Sequence, residues 1–346
     1  MRQGLKKMLA PAVLAALAVA VAGCGGSGAT AAGGGSGSSG GSTPTKNLTL
    51  LLDWFPNPDH ASLYDTQSKG YFKQAGLNVT LQAPSNASDP AKLVATGKVP
   101  LGISYEPEVM IAQANGLPVK AVGALVPTAL NSIISPGSNH IHSIAQLKGK
   151  KIGTAGLASD TAFMKAVLGH AGLSLSNVSL VNVGSNLVSS MLSGSVNATE
   201  GGYRNVEAIQ LKDRGANPWV LPLTDAGVPN YDELVIIANS NTLKSDPGYA
   251  KEVREFLSAL SKGTSAALAD PTGAENALAP VAKGYSKPLL DKMIAATVPL
   301  LKNPKGFGYM SPADWTSFAD WMYNSKLLPK KVDGAAAMTD AYLPAK

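Results

Sequence analysis

Apolar residues fall in short runs broken by polar, Gly- and Pro-marked stretches from residue 46 onward. Apolar runs of four to six residues read as buried strands, and 3.6-residue spacing reads as helices that cover them. Residues 48–52 predict a strand. Residues 59–69 predict a helix that Pro58 and Asp59 open and Gly70 stops. Strands at 77–82, 100–104, 119–125 and 132–135 alternate with helices at 89–96 and 106–115. The pattern restarts after a short helix and turn at 144–150: strands at 151–154, 178–183, 198–201 and 219–223, helices at 159–170, 186–192 and 206–212. Leu-Val-Ile-Ile-Ala at 234–238 is apolar enough for a fully buried central strand. From 246 onward only helices are expected, at 246–269, 271–283, 287–299 and 312–324. The first carries Val253, Phe256, Leu257, Leu260, Ala267 and Leu268 near helical spacing.

Alternating strands and helices define an α/β chain with mainly parallel, helix-covered sheets. Two such units, with connections near 130 and 234, predict two lobes on a two-stranded hinge that close over a ligand in the interlobe cleft. The first lobe would comprise 47–130 and 234–346, with the helical tail packed back on it, and the second 131–233.

The N-terminus differs in kind. Arg2, Lys6 and Lys7 precede an apolar stretch at 8–21, and Val21-Ala22-Gly23-Cys24 follows. Residues 1–23 read as a secretory signal whose end resembles the bacterial lipobox, with Cys24 as the lipidated residue. A plain membrane anchor is the alternative, but the run is short for a span. Residues 24–46 are almost wholly Gly, Ser, Ala and Thr, a flexible tether with a reach of about 25 Å. The expectation is an extracytoplasmic protein, a monomer held to the cell membrane by its lipid alone.

Composition narrows the chemistry. The chain has 346 residues, 45% hydrophobic and 15% charged, a length suited to about two domains. Three of the positive charges behind the net +6 lie in the first seven residues, and no Lys/Arg cluster interleaves with aromatics, so no nucleic-acid partner is expected. Cys24 is the only cysteine, so no internal disulfide or thiolate zinc site can form. The four histidines lack acidic neighbours at ligand spacing, and no HExxH, GxSxG or nucleophile–His–acid grouping occurs. No catalytic residue, metal or cofactor is expected.

Recognition side chains gather after strands, where α/β sheets bind ligands. Asp53, Trp54, Asn57 and His60 follow the first strand. Trp54 offers a stacking face, Asp53 an acceptor for an exocyclic amine, and Asn57 both donor and acceptor. Alternatively Trp54 plugs the strand end, Asn57 makes a turn and His60 caps a helix. Tyr105 follows the third strand, next to Glu106, which serves equally as a helix N-terminal acid. The loop from Gly153 to Ser159 and Asp160 presents amides at a helix start, for a polar ligand group or simply as a turn. It is neither a Walker loop nor a dinucleotide fingerprint. Tyr203, Asn205 and Glu207 come together if the chain turns into helix there, and a carboxylate with a tyrosine suits an aminopyrimidine edge; a surface helix start is the alternative. Tyr231 lies at the cleft rim or in a turn before the returning strand.

Several of these stretches resemble one family. Leu52-Asp53-Trp54-Phe55-Pro56-Asn57 with His60, Gly70-Tyr71-Phe72-Lys73-Gln74-Ala75-Gly76-Leu77, Asp89-Pro90-Ala91-Lys92-Leu93-Val94, Leu147-Lys148-Gly149-Lys150-Lys151-Ile152-Gly153, Val183-Gly184-Ser185-Asn186-Leu187-Val188 and Gly227-Val228-Pro229-Asn230-Tyr231-Asp232-Glu233-Leu234-Val235 are similar to the NMT1/THI5-like family, in order over about residues 48–245. The resemblance implies a type II periplasmic-binding-protein fold and delivery of a solute to an ABC permease and its ATPase. It also implies a pyrimidine site built from Trp54 and from Tyr203, Asn205 and Glu207. Arg204 and Val206 interrupt that second motif. Fungal members are synthases that consume their own histidine and carry a cysteine-rich iron motif; a chain with only Cys24 departs from them. The expected function is a solute-binding lipoprotein of an ABC importer, not an enzyme, for a thiamine pyrimidine precursor of the formylaminopyrimidine or hydroxymethylpyrimidine type. Riboflavin, sulfonate or nitrate binding is the alternative within the fold, and a pyrimidine synthase the more distant one.

Overall fold

Ten strands form two separate five-stranded sheets in the computed structural model, which describes residues 45–345. The signal-like segment, Cys24 and the tether as far as residue 44 lie outside the described residues. The first sheet contains β1 (Lys46–Leu51), β2 (Leu77–Gln82), β3 (Leu101–Ser104), β4 (Val119–Val126) and, from far along the chain, β10 (Leu234–Asn239). The second contains β5 (Asn131–Ser135), β6 (Lys151–Thr154), β7 (Ser179–Asn182), β8 (Ala198–Tyr203) and β9 (Trp219–Pro222).

The two sheets share one plan. Their orders are β2-β1-β3-β10-β4 and β7-β6-β8-β5-β9. β1 runs parallel to β2 and β3, and β6 parallel to β7 and β8. The antiparallel strand of each is inserted fourth: β10 between β3 and β4, and β5 between β8 and β9. The chain leaves the first lobe after β4 and starts the second with β5; it returns after β9 and re-enters the first with β10. Each crossing strand is therefore a member of the sheet it enters. All six residues of β10 are buried, as expected for a strand flanked on both sides and covered on both faces.

The apolar runs become the core as their spacing dictates. Leu48, Leu50, Leu52, Leu77, Leu101, Ile103 and Ile236 are buried in one cluster beneath the first sheet. The helix Pro247–Ala269 completes it through Val253, Phe256, Leu257 and Leu260. Asp246 caps that helix through the amides of Gly248 and Tyr249, and the Phe256 ring stacks on Phe72 at 5.2 Å.

The tail departs from expectation by touching both lobes. Lys292, on the helix Lys287–Thr297, pairs with Asp213 of the second lobe at 2.6 Å. Phe318, on the helix Pro312–Asn324, meets the Tyr231 ring at 5.2 Å, and Tyr231 in turn stacks on Phe163 of the second lobe at 5.6 Å. No helix among the described residues is long and apolar enough to cross a membrane.

Candidate functional site

β1 and β3 end side by side, and the chain turns polar just beyond both. Asp53 and Tyr105 meet there: the Tyr105 hydroxyl donates to Asp53 Oδ2 at 2.9 Å. Asp53 Oδ1 lies 2.8 Å from His60 Nε2. The Asn57 amide reaches His60 Nδ1 at 3.4 Å, which orients the ring to donate from Nε2 to the carboxylate. His60 belongs to a single 3-10 turn, Pro58–His60, that Asn57 caps by accepting from the Asp59 amide at 2.8 Å. This turn, rather than a helix starting at Asp59, delivers the chain into the helix Ala61–Ser68. The two prolines and the cap make it rigid.

The second lobe answers from the ends of β6 and β8. β8 runs on to Tyr203, two residues beyond the predicted end, and the helix Glu207–Asp213 starts after a short bend. Glu207 Oε2 accepts from the Tyr203 amide at 2.8 Å and so holds that bend. Gly201, in β8, has φ +92°, a conformation that L side chains rarely adopt, and an added Cβ would lie 3.2 Å from Ala155 Cβ. Gly156 and Leu157 donate their amides to Asp160 Oδ2 at 2.7 and 2.8 Å. These two amides are thus occupied within the loop.

Between the lobes lies a chamber with about 440 Å³ of atom-free space, part of it open to solvent. Asp53, Trp54, Asn57, Asp59 and Tyr105 line it from the first lobe; Asn131, Ala155, Leu157, Leu187, Gly201, Tyr203, Val206 and Glu207 line it from the second. Glu233 lines it from the hinge. Its Oε2 accepts from the amides of Leu130 and Asn131 at 2.5 and 2.9 Å, and its Oε1 from the Tyr203 hydroxyl at 3.1 Å. One carboxylate therefore ties both crossing segments to the chamber floor.

Four residues expected at the ligand do not line the chamber. His60 is fully buried behind Asp53, which stands between its ring and the space. Asn205 is spent across the lobe boundary: its Nδ2 donates to Asp59 Oδ1 at 2.7 Å and to Thr297 Oγ1 at 2.8 Å. Ser159 is buried, with its amide donating to Glu108 Oε1 at 2.8 Å, and its loop reaches the chamber through Ala155 and Leu157 instead. Tyr231 is clasped between Phe163 and Phe318. Conversely, Asn131, Asp59 and Glu233 line the chamber without having been singled out. Asp59 read as a helix start. Glu233 carries a signal, a carboxylate directly before the apolar run 234–238.

Burial dominates the electrostatics. It pushes the Asp59 carboxyl up to about 7, against the hydrogen bond from Asn205, which lowers it. It pushes Glu207 to about 7 as well, offset in part by the Tyr203 amide. Glu233 is raised by the same cause, and Tyr105 and Tyr203 are raised well above the ordinary phenol value. Among the described residues no lysine or arginine lines the chamber. Arg204 turns aside and donates to the Ala129 carbonyl. Among the described residues no group of His, Cys, Asp and Glu could hold a metal ion.

Two lobes with one strand plan, a hinge of two crossings and a buried polar chamber between them define a two-lobed protein of the periplasmic-binding-protein fold. The chain belongs to the NMT1/THI5-like family, whose model matches residues 57–274. A formylaminopyrimidine-binding protein of Halalkalibacterium halodurans is 32% identical, over 85% of this chain and 91% of the relative. A 4-amino-5-hydroxymethyl-2-methylpyrimidine phosphate synthase of Saccharomyces cerevisiae is 31% identical, over 66% of this chain and 69% of the relative. Among solved structures, the alkanesulfonate-binding protein SsuA of Xanthomonas axonopodis pv. citri superposes with a TM-score of 0.68 at 19% identity, covering 86% of this chain and 99% of that one.

Proposed function

We propose that the protein is the extracytoplasmic solute-binding component of an ABC importer and captures a thiamine pyrimidine precursor of the formylaminopyrimidine or hydroxymethylpyrimidine type. Cys24 would carry the lipid that holds it at the membrane face, where it works as a monomer with a permease and its ATPase. The observation that carries the reading is the chamber lining: Asp53, Asp59, Glu207 and Glu233 supply carboxyl groups, Trp54, Tyr105 and Tyr203 supply rings, and no cationic side chain stands among the described residues there. An aminopyrimidine offers a flat face for stacking and amine hydrogens for carboxylates. A sulfonate or nitrate would meet carboxylates where it needs cations, so the anion reading loses support.

The relative named for formylaminopyrimidine binding supports a binding role. The relative named as a synthase is the counterweight, but a reacting histidine must reach the bound ring, and His60 stands behind Asp53.

A thermal-shift and calorimetry panel of aminopyrimidines, riboflavin, thiamine and taurine tests the assignment. Stabilisation by the aminopyrimidines is expected. Stabilisation by riboflavin or taurine alone would sink it. Formation of pyrimidine from added pyridoxal phosphate and iron would reinstate the enzyme.

A further inference from the structure

The chamber has a charge problem that a neutral ring does not solve. Asp59 reaches it from the first lobe and Glu207 from the second, and they are 1% and 9% exposed. Asp59 Oδ1 is engaged by Asn205, while Oδ2 is buried with no hydrogen-bond partner among the described residues. Each group feels the other's field across the boundary, and Tyr285 lies within the field of both. His60 and Asp53 are the other charged or titratable side chains facing Asp59 from its own segment, and His60 is held by Asp53. Tyr203 faces the pair from β8. Arg204 is turned to the Ala129 carbonyl, and Lys292 is taken by Asp213. Closing the lobes therefore brings buried carboxyl groups together, with no basic side chain among the described lining residues to balance them.

We propose that the chamber takes its ring as a planar cation, with the carboxylates of Asp59 and Glu207 as its counter-ions. The proposal rests on the reading of this chamber as a ring site and adds the charge state of what it selects. A pyrimidine whose amine adjoins a ring nitrogen becomes an amidinium when that nitrogen gains a proton. The amine and ring N–H then point the same way and match a carboxylate as a two-point donor. The unpartnered Asp59 oxygen and the upward push that burial exerts on both acids fit a chamber that lacks its positive charge. A ring that carries a carbonyl in place of the amine would set oxygen against oxygen and be refused.

The charge of the bound ring is directly visible, because protonation changes the ultraviolet spectrum of an aminopyrimidine. In alkaline buffer, where the free ring is neutral, the bound ring is expected to show its acid-form spectrum. Above about pH 8, where Asp59 and Glu207 are already ionised, its affinity should fall about tenfold per pH unit, as the protonated fraction of the free ring falls. A neutral-form spectrum, or an affinity flat across that range, overturns the proposal and leaves the pyrimidine assignment intact. Benzamidine and benzamide, alike in shape but cationic and neutral, test charge without any pyrimidine. Benzamidine should raise the melting temperature of the unaltered protein and benzamide should not, and the double variant Asp59→Asn/Glu207→Gln should lose the distinction. Equal responses, or none, overturn the proposal. A benzamidine response without any pyrimidine binding removes the pyrimidine assignment and keeps the charge selectivity.

Discussion

Asn205 of the second lobe donates to Asp59 of the first at 2.7 Å, and the same amide nitrogen reaches Thr297 at 2.8 Å. Both partners of Asn205 lie on first-lobe elements, so opening the cleft must break both bonds. Asn205→Ala should therefore favour the open form and weaken ligand binding by about 1–3 kcal/mol, the scale of a hydrogen bond to a charged group. Calorimetry with small-angle scattering checks it. An unchanged affinity together with an unchanged radius of gyration would dismiss the latch.

Trp54 lines the chamber and is only partly buried, so removing it leaves the core intact. Trp54→Ala should lower affinity for an aromatic ligand by about 1–3 kcal/mol, the scale of stacking on an aromatic side chain. The melting temperature of the ligand-free protein should barely move. A large loss of stability would instead assign Trp54 to packing.

Glu233 accepts from two hinge amides and one phenol. Glu233→Gln keeps the shape but replaces one acceptor oxygen with an NH2 group that faces donors. Destabilisation of about 2–3 kcal/mol in urea unfolding is expected, since buried donors lose a charged acceptor. A change below about 0.5 kcal/mol, the size of an ordinary surface substitution, would mean that the hinge does not depend on it.

The empty protein should close more readily in acid than in alkali. Asp59 rises from 3.8 and Glu207 from 4.5, each to about 7, in the closed form, so between those values the closed form holds more protons than a form in which both are solvated. Its advantage is complete below the solvated values and is lost as pH rises through about 7, by at most about 1.4 kcal/mol per pH unit for each group. Scattering of the ligand-free protein between about pH 5 and about pH 8 should show the radius of gyration increasing. Asp59→Asn/Glu207→Gln should flatten the trend; an opposite trend in the unaltered protein would refute it.

Local pattern accounts for most of the frame. Leu48, Leu50, Leu101, Ile103 and the run from Leu234 to Ala238 are apolar because strands covered on both faces must be, and that is readable residue by residue. Asp246 ahead of Pro247 announces its helix by chemistry local to one turn. The end of β8 was not readable: Gly201, Gly202 and Tyr203 look like a break, yet pairing with β5, from Asn131 to Tyr203 and from Ser132 to Gly202, keeps the chain extended. Strand pairing is non-local, so no window around Tyr203 contains it.

Sequence alone determined that this chain builds two α/β units, and that Asp53, Trp54 and Tyr105 stand at strand ends, because burial period and strand termini are properties of short segments. Tertiary structure decided the rest of the site. His60 went behind Asp53, Tyr231 went between two rings, and Asn205 went to Asp59, while Glu233 and Asn131, 102 positions apart, came together at the hinge. Which face of a polar side chain meets solvent, ligand or the other lobe depends on how the two sheets are set against each other. That arrangement is fixed only once β5 and β10 are inserted into their sheets.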